Sequence, residues 1–381
     1  MAGVGQLAAS RQILVVVGPG GVGKTTLAAS LAARTVVEIG GSVLVLTVDP
    51  ARRLASALGL SRFGNETVEV PTELFTRAGV RPRGSLHVAM LDTKAAWDGL
   101  IHRHAPDEQT EQAILANPLY RNIASTFVAS HDYVAMEELY ELHRLGRYDL
   151  IVVDTPPARR AIDFLEAPSR MVEFFGSPLL AWLTMPGRSR SSGFAQRPFH
   201  LVANRLIGST FLADIAEFFL LFQSMYEGFV DRSDAVSAVF GERLAGFVVV
   251  STLEREPVVE AEFLCDELER RELEIGAVVA NRVLPEGLRD DAAASAARRL
   301  AAAPESVVDR LGNQGLDHLG LVLAELADNY LRYRSVAAEE VALSERLAAR
   351  AGAWATVPLR ASGVSDLAGL LEIGRHLWVG L

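Results

Sequence analysis

The nine residues Gly18-Pro19-Gly20-Gly21-Val22-Gly23-Lys24-Thr25-Thr26 constrain this chain more than any other stretch. They fit the pattern G-x-x-x-x-G-K-S/T, with Gly18, Gly23, Lys24 and Thr25 at the fixed positions. An apolar run, Ile13-Leu14-Val15-Val16-Val17, precedes them and reads as a buried strand. The run Thr25 to Ala33 follows and reads as a helix. Strand, glycine loop and helix in that order are the setting in which the pattern carries meaning, since a glycine-rich turn elsewhere is only a turn.

The residue types suit one chemistry. A polyphosphate needs several N–H donors aimed at one point, and glycine lets backbone wrap closely around it. A helix beginning near Lys24 directs its free N–H groups and the positive end of its dipole at the same place. Gly20, Gly21, Val22, Gly23, Lys24, Thr25 and Thr26 are therefore the expected nucleotide-binding residues. Lys24 is placed to reach the β and γ phosphates, and the Thr25 hydroxyl to hold Mg²⁺.

Further short, apolar, β-branched runs read as strands: Ser42–Val48, Leu86–Leu91, Leu150–Val153, Gly246–Val250, Gly276–Ala280 and Trp354–Pro358. Helical patterns lie between most of them, which predicts an α/β fold with a parallel sheet covered by helices. The chain has 381 residues, half of them hydrophobic, so a large core is available and global disorder is excluded. There is one glycine loop and no internal repeat, hence one nucleotide site per chain. The net charge of −10 argues against a nucleic-acid binder, which needs clustered Lys and Arg. The single cysteine, Cys265, allows no disulfide framework within the chain and fits a reducing cytoplasm. No signal peptide and no membrane-spanning run are expected.

Residues 94–145 and 159–240 read as helical and interrupt the alternation. They are expected to form an inserted helical layer on a single domain spanning 1–381, and a client or partner surface. Within it Ile207, Phe211, Leu212, Ile215, Phe218, Phe219, Phe222, Met225 and Phe229 recur at spacings of three and four, widened by Leu220 and Leu221. This stripe is either core or a groove for an apolar helix. Gly187–Gly193 reads as a solvated tip. Residues 316–350 read as a scaffold helix or helix pair, and Ser365 as the cap of a last helix.

Two aspartates close strands. Asp49 follows Val43–Val48 and opens Asp49-Pro50-Ala51, and Asp154 follows Leu150–Val153 and opens Asp154-Thr155-Pro156-Pro157. Carboxyl ends of parallel strands converge on the ligand crevice. Phosphoryl hydrolysis needs a carboxylate near Mg²⁺ and a group that positions the attacking water. Asp154 suits the first role, partly through water, and Asp49 the second; with Lys24 they are the expected catalytic residues.

With these motifs the chain resembles the ArsA-type ATPases, which include the arsenite-pump ATPase and the targeting factor for tail-anchored membrane proteins. The loop at 20–26, the switch-like Asp49-Pro50-Ala51 and the Asp154-Thr155-Pro156-Pro157 segment carry the likeness. Val278–Val283 is similar to the strand whose asparagine reads adenine, which maps to Asn281, and Val357–Arg360 to the adenine-side loop, which maps to Pro358 and Leu359. The resemblance implies a P-loop NTPase of the dimerising class that also holds MinD, ParA and the nitrogenase iron protein. It implies ATP and Mg²⁺ as ligands, a nucleotide-switched dimer, ATP hydrolysis, and an apolar client or membrane partner, with the chain cytoplasmic or peripheral at the membrane.

Three departures qualify that picture. With Cys265 alone the chain has no cluster of thiolates, so no arsenite site is expected. No cysteine follows Asn281, so no zinc clamp between halves of a dimer is expected. The family's loop carries a lysine at its second position, which reaches the partner's nucleotide; here that residue is Pro19, without charge or N–H. Two readings stand beside each other: an active homodimer, and a weakly active regulatory subunit paired with a related ATPase that keeps the lysine. A large multidomain signalling ATPase is disfavoured by the two switch segments.

Overall fold

Every apolar run read as a strand joins one sheet. The computed structural model describes residues 3–48, 58, 67–120, 128–176, 217–222, 225–241, 244–311 and 318–378. Among these the strands are β1 (Ile13–Val17), β2 (Gly41–Thr47), β3 (Val68–Glu69), β4 (Gly84–Met90), β5 (Leu150–Asp154), β6 (Ala245–Thr252), β7 (Ile275–Val283) and β8 (Trp354–Pro358). The eight-stranded order is β3-β4-β2-β5-β1-β6-β7-β8. All pairs are parallel except β3 with β4. The two-residue β3, too short to leave a periodic signal, is the strand that the sequence does not announce.

The helices are α1 (Val4–Ser10), α2 (Lys24–Glu38), α3 (Thr72–Arg77), α4 (Thr93–His104), α5 (Glu108–Ala116), α6 (Val128–Arg144), α7 (Ala158–Phe175), α8 (Tyr226–Gly241), α9 (Arg255–Arg270), α10 (Asp291–Ala302), α11 (Glu305–Leu311), α12 (Leu319–Ala348) and α13 (Leu367–Trp378). Strands β1, β5 and β6 are buried along their whole length, and apolar but for Asp154 and Ser251–Thr252 at their carboxyl ends, because helices cover both faces. One face buries Leu14, Val16, Val152 and Val250 under α1, α2 and α13. The other buries Val15, Val153 and Val249 with Trp97, Tyr133, Phe164 and Phe222 from the helical layer. The layer and the sheet thus share one core.

The described part of the 207–229 stripe is core. Phe218, Phe219, Phe222 and Met225 are buried, and the Phe222 ring packs 4.8 Å from Phe218 and 6.1 Å from Trp97. Leu220 is exposed. Ile207, Phe211, Leu212, Ile215 and the 187–193 tip lie outside the described residues, as does the side chain of Phe229. The described part of the 316–350 region holds one helix, α12, rather than a pair. Ser365 is not the cap of α13: the Asp366 carboxylate accepts from Gly369 N at 2.9 Å, because the backbone enters the helix one residue later. No described helix is long and apolar enough to cross a membrane.

A buried polar network ties three helices of the layer together. Arg232 of α8 pairs through Nε with Glu137 of α6 at 2.8 Å, and Tyr133 donates to Glu137 at 3.2 Å. Arg232 also donates to His104 Nδ1 of α4 at 2.8 Å. Burial first, and then the Arg232 and Arg103 guanidiniums against the weaker opposing pull of Glu141, hold His104 down from 6.5 to about 4. A folded value below the unfolded one means the stabilisation is complete above pH 6.5 and is lost as pH falls towards 4, where the unfolded chain takes up a proton first. A His104→Gln chain is expected to lose less stability than the parent between those limits, measured by urea unfolding at each pH.

Candidate functional site

The loop takes its shape from close backbone approaches. Gly18 has φ +155°, and a Cβ there would stand 2.1 Å from the Val250 carbonyl oxygen of β6. Gly23, at φ +99°, is the left-handed residue that starts α2, and a Cβ there would meet Asn281 Nδ2 at 2.5 Å. Both positions therefore exclude other residues. The first turn of α2 opens directly from the loop, so its unsatisfied N–H groups face the space the loop surrounds.

Lys24 is buried, and its ammonium donates to the Gly18 and Pro19 carbonyls at 3.0 and 2.8 Å. The charge is held over the loop rather than swinging in solvent. Pro19 itself is buried.

Asp154 is the last residue of β5, and its Cα registers with Val16 of β1 and Thr47 of β2. That seat at the sheet centre buries its carboxylate beside the loop. The Thr25 hydroxyl donates to Asp154 Oδ2 at 2.7 Å, and the Thr47 hydroxyl donates to the same oxygen at 3.1 Å. Thr155 donates to the Val16 carbonyl at 2.8 Å, which anchors the chain leaving β5. Thr25 and Asp154, far apart in sequence, thus form one oxygen-rich corner. A hydroxyl and a carboxylate are the hard donors that Mg²⁺ takes together with substrate phosphates and waters, so the residues fit that ion. Among the described residues no cluster of three or more His, Cys, Asp or Glu side chains is grouped to hold a metal by itself. Cys265 is buried on α9, and burial pushes its thiol up to about 11, away from the thiolate form that soft metals require.

Asn281 sits near the end of β7, opposite Thr252 of β6 and Val357 of β8. Its Nδ2 donates to the Val22 carbonyl at 2.7 Å, so the strand is fastened to the loop. Its Oδ1 accepts from Arg282 N at 3.0 Å, and Arg282 holds a left-handed φ of 59° where the β7–β8 register shifts. A non-glycine residue in that region is strained, and strain of this kind collects at ligand sites. Pro358 pairs with Val283, and Leu359 N donates to the Val283 carbonyl at 2.8 Å, which brings both beside Asn281. Asp49 lies outside the described residues.

Two site neighbours escaped the sequence reading. By sequence pattern Thr47 is one more strand residue. Glu340, within the assumed scaffold helix, is buried and accepts from Leu284 N at 3.0 Å, so α12 braces the end of β7. Burial raises its carboxyl above the usual range, against the opposing bond from Leu284 N. Neither residue belongs to a local pattern, and only the fold brings them to the site.

A family model described as anion-transporting ATPase matches residues 11–310. The chain is 30% identical over 154 residues to the ATPase GET3 of Malassezia globosa, which covers 40% of this chain and 41% of that protein. It is 26% identical over 272 residues to the ATPase GET3 of Mycosarcoma maydis, covering 71% and 72%. It is 29% identical over 166 residues to a putative arsenical pump-driving ATPase of Prosthecochloris vibrioformis, covering 42% and 36%. The match spans less than half the length of the first two GET3 relatives, at 41% and 44%.

Proposed function

The chain belongs to the anion-transporting ATPase family, and on that premise we propose that it binds and hydrolyses Mg-ATP as a nucleotide-switched dimer that handles an apolar client or a membrane partner. The observation that carries this reading is the corner where Thr25 donates to Asp154 at 2.7 Å beside the loop that holds Lys24. The N–H groups of residues 20–26 bind the phosphates. The Lys24 ammonium leaves the Gly18 and Pro19 carbonyls for β- and γ-phosphate oxygens and neutralises charge as the bond to the leaving group breaks. Thr25 and Asp154 hold the magnesium ion, in part through water. When bound, the ion supplies positive charge to the phosphate oxygens. Asp49 orients the attacking water. Asn281, Pro358 and Leu359 form the adenine side, and the Asn281 bond to Val22 keeps that side in register with the loop.

Nucleotide closes the dimer, and hydrolysis opens it, only if the two states differ in nucleotide affinity. The helical layer responds because it shares a core with the strands that carry the site. The client surface falls in the helical layer of residues 94–145 and 159–240. The chain acts in the cytoplasm and meets a membrane partner at the membrane surface. Its ligands include neither zinc nor arsenite, and no nucleic acid.

An Asp154→Asn chain keeps the side-chain shape and loses the charge. Its turnover is expected to fall by about 10²-fold, with a higher Mg²⁺ concentration at half-maximal rate. Parent turnover at parent Mg²⁺ dependence would remove Asp154 from the reaction.

Pro19 favours a second reading. A residue that reaches a partner's nucleotide has to project from its own chain, and Pro19 is uncharged and buried. In this reading the chain is a weakly active regulatory subunit, and a related ATPase with the lysine completes the pair. Purification from the native cell separates the two: a homodimer with full activity supports the first, and a stoichiometric related partner supports the second.

A further inference from the structure

We infer that Thr47 is a positioning residue for the magnesium corner, one that fixes the Asp154 carboxylate and ties it to the strand leading towards Asp49. This role rests on the reading, proposed above, of Thr25 and Asp154 as the residues that hold the ion. Thr47 is the last residue of β2 and sits beside Asp154 in the β2–β5 register. Side chains alternate between the two faces of a strand. Val43 and Val45 of β2 and Leu150 and Val152 of β5 pack in one buried cluster with Leu27 and Ala28 of α2. Two residues further on, the same alternation turns Thr47 and Asp154 to that face, where Thr25 of α2 meets them.

Packing does not explain a hydroxyl in this place. Thr47 is fully buried, and β2 is apolar from Val43 to Leu46. Valine has nearly the same shape and brings no polar group that must be desolvated. What the hydroxyl adds is the 3.1 Å bond to Asp154 Oδ2, the oxygen that also accepts from Thr25 at 2.7 Å. The terminal torsion of an aspartate is broad. A single donor lets the carboxylate swivel, whereas donors from two different elements, α2 and β2, fix its plane. Hydrogen bonds to a carboxylate are stronger than those between neutral groups, so the second donor is worth having.

The contact also reaches the backbone. Val48 N donates to the Asp154 carbonyl at 3.1 Å, so main chain and side chain of Asp154 both hold the end of β2. Asp49, which orients the water in the proposed reaction, follows Thr47 by two residues. Thr47 therefore joins the residue that holds the ion to the segment that carries the water-orienting group. Loss of a residue that orients a metal's ligands without touching the ion typically costs about 10–100-fold in metal affinity or activity.

Calorimetric titration of the full chain with ADP, with and without Mg²⁺, tests this role. The parent is expected to bind ADP more tightly when Mg²⁺ is present. Thr47→Val should weaken binding with Mg²⁺ by about tenfold and leave the affinity without Mg²⁺ at the parent value. Thr47→Ser keeps the hydroxyl and should match the parent in both titrations. A merely structural role for Thr47 would move both affinities together. Steady-state phosphate release should follow the same order, with kcat lowered in Thr47→Val and recovered in Thr47→Ser. A Thr47→Val chain that binds ADP with Mg²⁺ as the parent does, or a Thr47→Ser chain as impaired as Thr47→Val, would overturn the role of Thr47 alone. A parent that binds ADP no more tightly with Mg²⁺ than without it would overturn the reading of the corner itself, and this role with it.

Discussion

A Lys24→Ala chain is expected to release phosphate from ATP about 10³-fold more slowly than the parent. The ammonium is the positively charged side chain that the loop itself holds in place, bonded to the Gly18 and Pro19 carbonyls at 3.0 and 2.8 Å. Charge that develops on the phosphate oxygens as the bond breaks loses that counter-charge in a site where water screens little. Removing the ammonium also leaves the two carbonyls without this donor, so some loop stability goes with it, about 1–3 kcal/mol. The measurement is steady-state phosphate release, alongside a thermal melt to show that the variant is folded. Arginine at this position should not rescue turnover, because a planar fork does not reproduce a compact ammonium in a loop this tight.

The second large effect concerns the fold of the loop. Gly18→Ala should destabilise the chain by about 3 kcal/mol and remove nucleotide binding together with it. The added Cβ would sit 2.1 Å from the Val250 carbonyl oxygen, and φ of +155° suits few residues besides glycine. That carbonyl belongs to a central strand whose neighbours β1 and β7 hold it, so the loop has to move instead of the strand. Moving the loop shifts the carbonyls that seat Lys24. Urea unfolding measures the first effect and calorimetric titration with ATP the second. Gly20→Ala serves as a comparison, since a Cβ there comes no nearer than 3.9 Å to its closest neighbour, Pro157. It should cost far less stability.

What the sequence reveals and what it hides follow from the range of the forces involved. Each interior strand is a short β-branched run, because a strand covered on both faces has no polar side, and such runs are visible one by one. The order of the strands is not visible. It depends on which helix crosses over which face, and on pairings such as β2 with β5, whose members are separated by more than a hundred residues. The loop is legible because phosphate binding needs glycines at fixed local spacing. Asp154 is legible as a charged residue that ends an apolar strand. The hydroxyl of Thr47, the bond from Asn281 to Val22 and the brace from Glu340 to Leu284 are tertiary contacts, and nothing local marks them. Ser365 and Asp366 are both competent helix caps in adjacent positions, and the backbone path selects the second. The apolar stripe beginning at Ile207 has a helical period whether it faces a core or a client, so period alone leaves the choice open. Burial of Phe218, Phe222 and Met225 decides it for the described part.

Two sets of contacts tie distant elements together, the Thr25–Asp154 corner and the polar network of Arg232, Glu137 and His104. Both connect elements that belong to different parts of the chain, α2 with β5 in one case and α4, α6 and α8 in the other. The sheet face under α4, α6 and α7 joins them through Val153, Phe164 and Tyr133 in one buried cluster. One buried cluster thus links the end of β5 to the helical layer, the kind of packed connection that the proposed nucleotide switch requires.

The proposed site of ATP hydrolysis is the Gly18–Thr26 loop. Phosphate release by the purified chain, with ATP and Mg²⁺ and against the Lys24→Ala chain as background, tests it most directly. A Mg²⁺-dependent rate well above that background, lost when EDTA is added, is expected. A parent rate equal to the Lys24→Ala rate would contradict it.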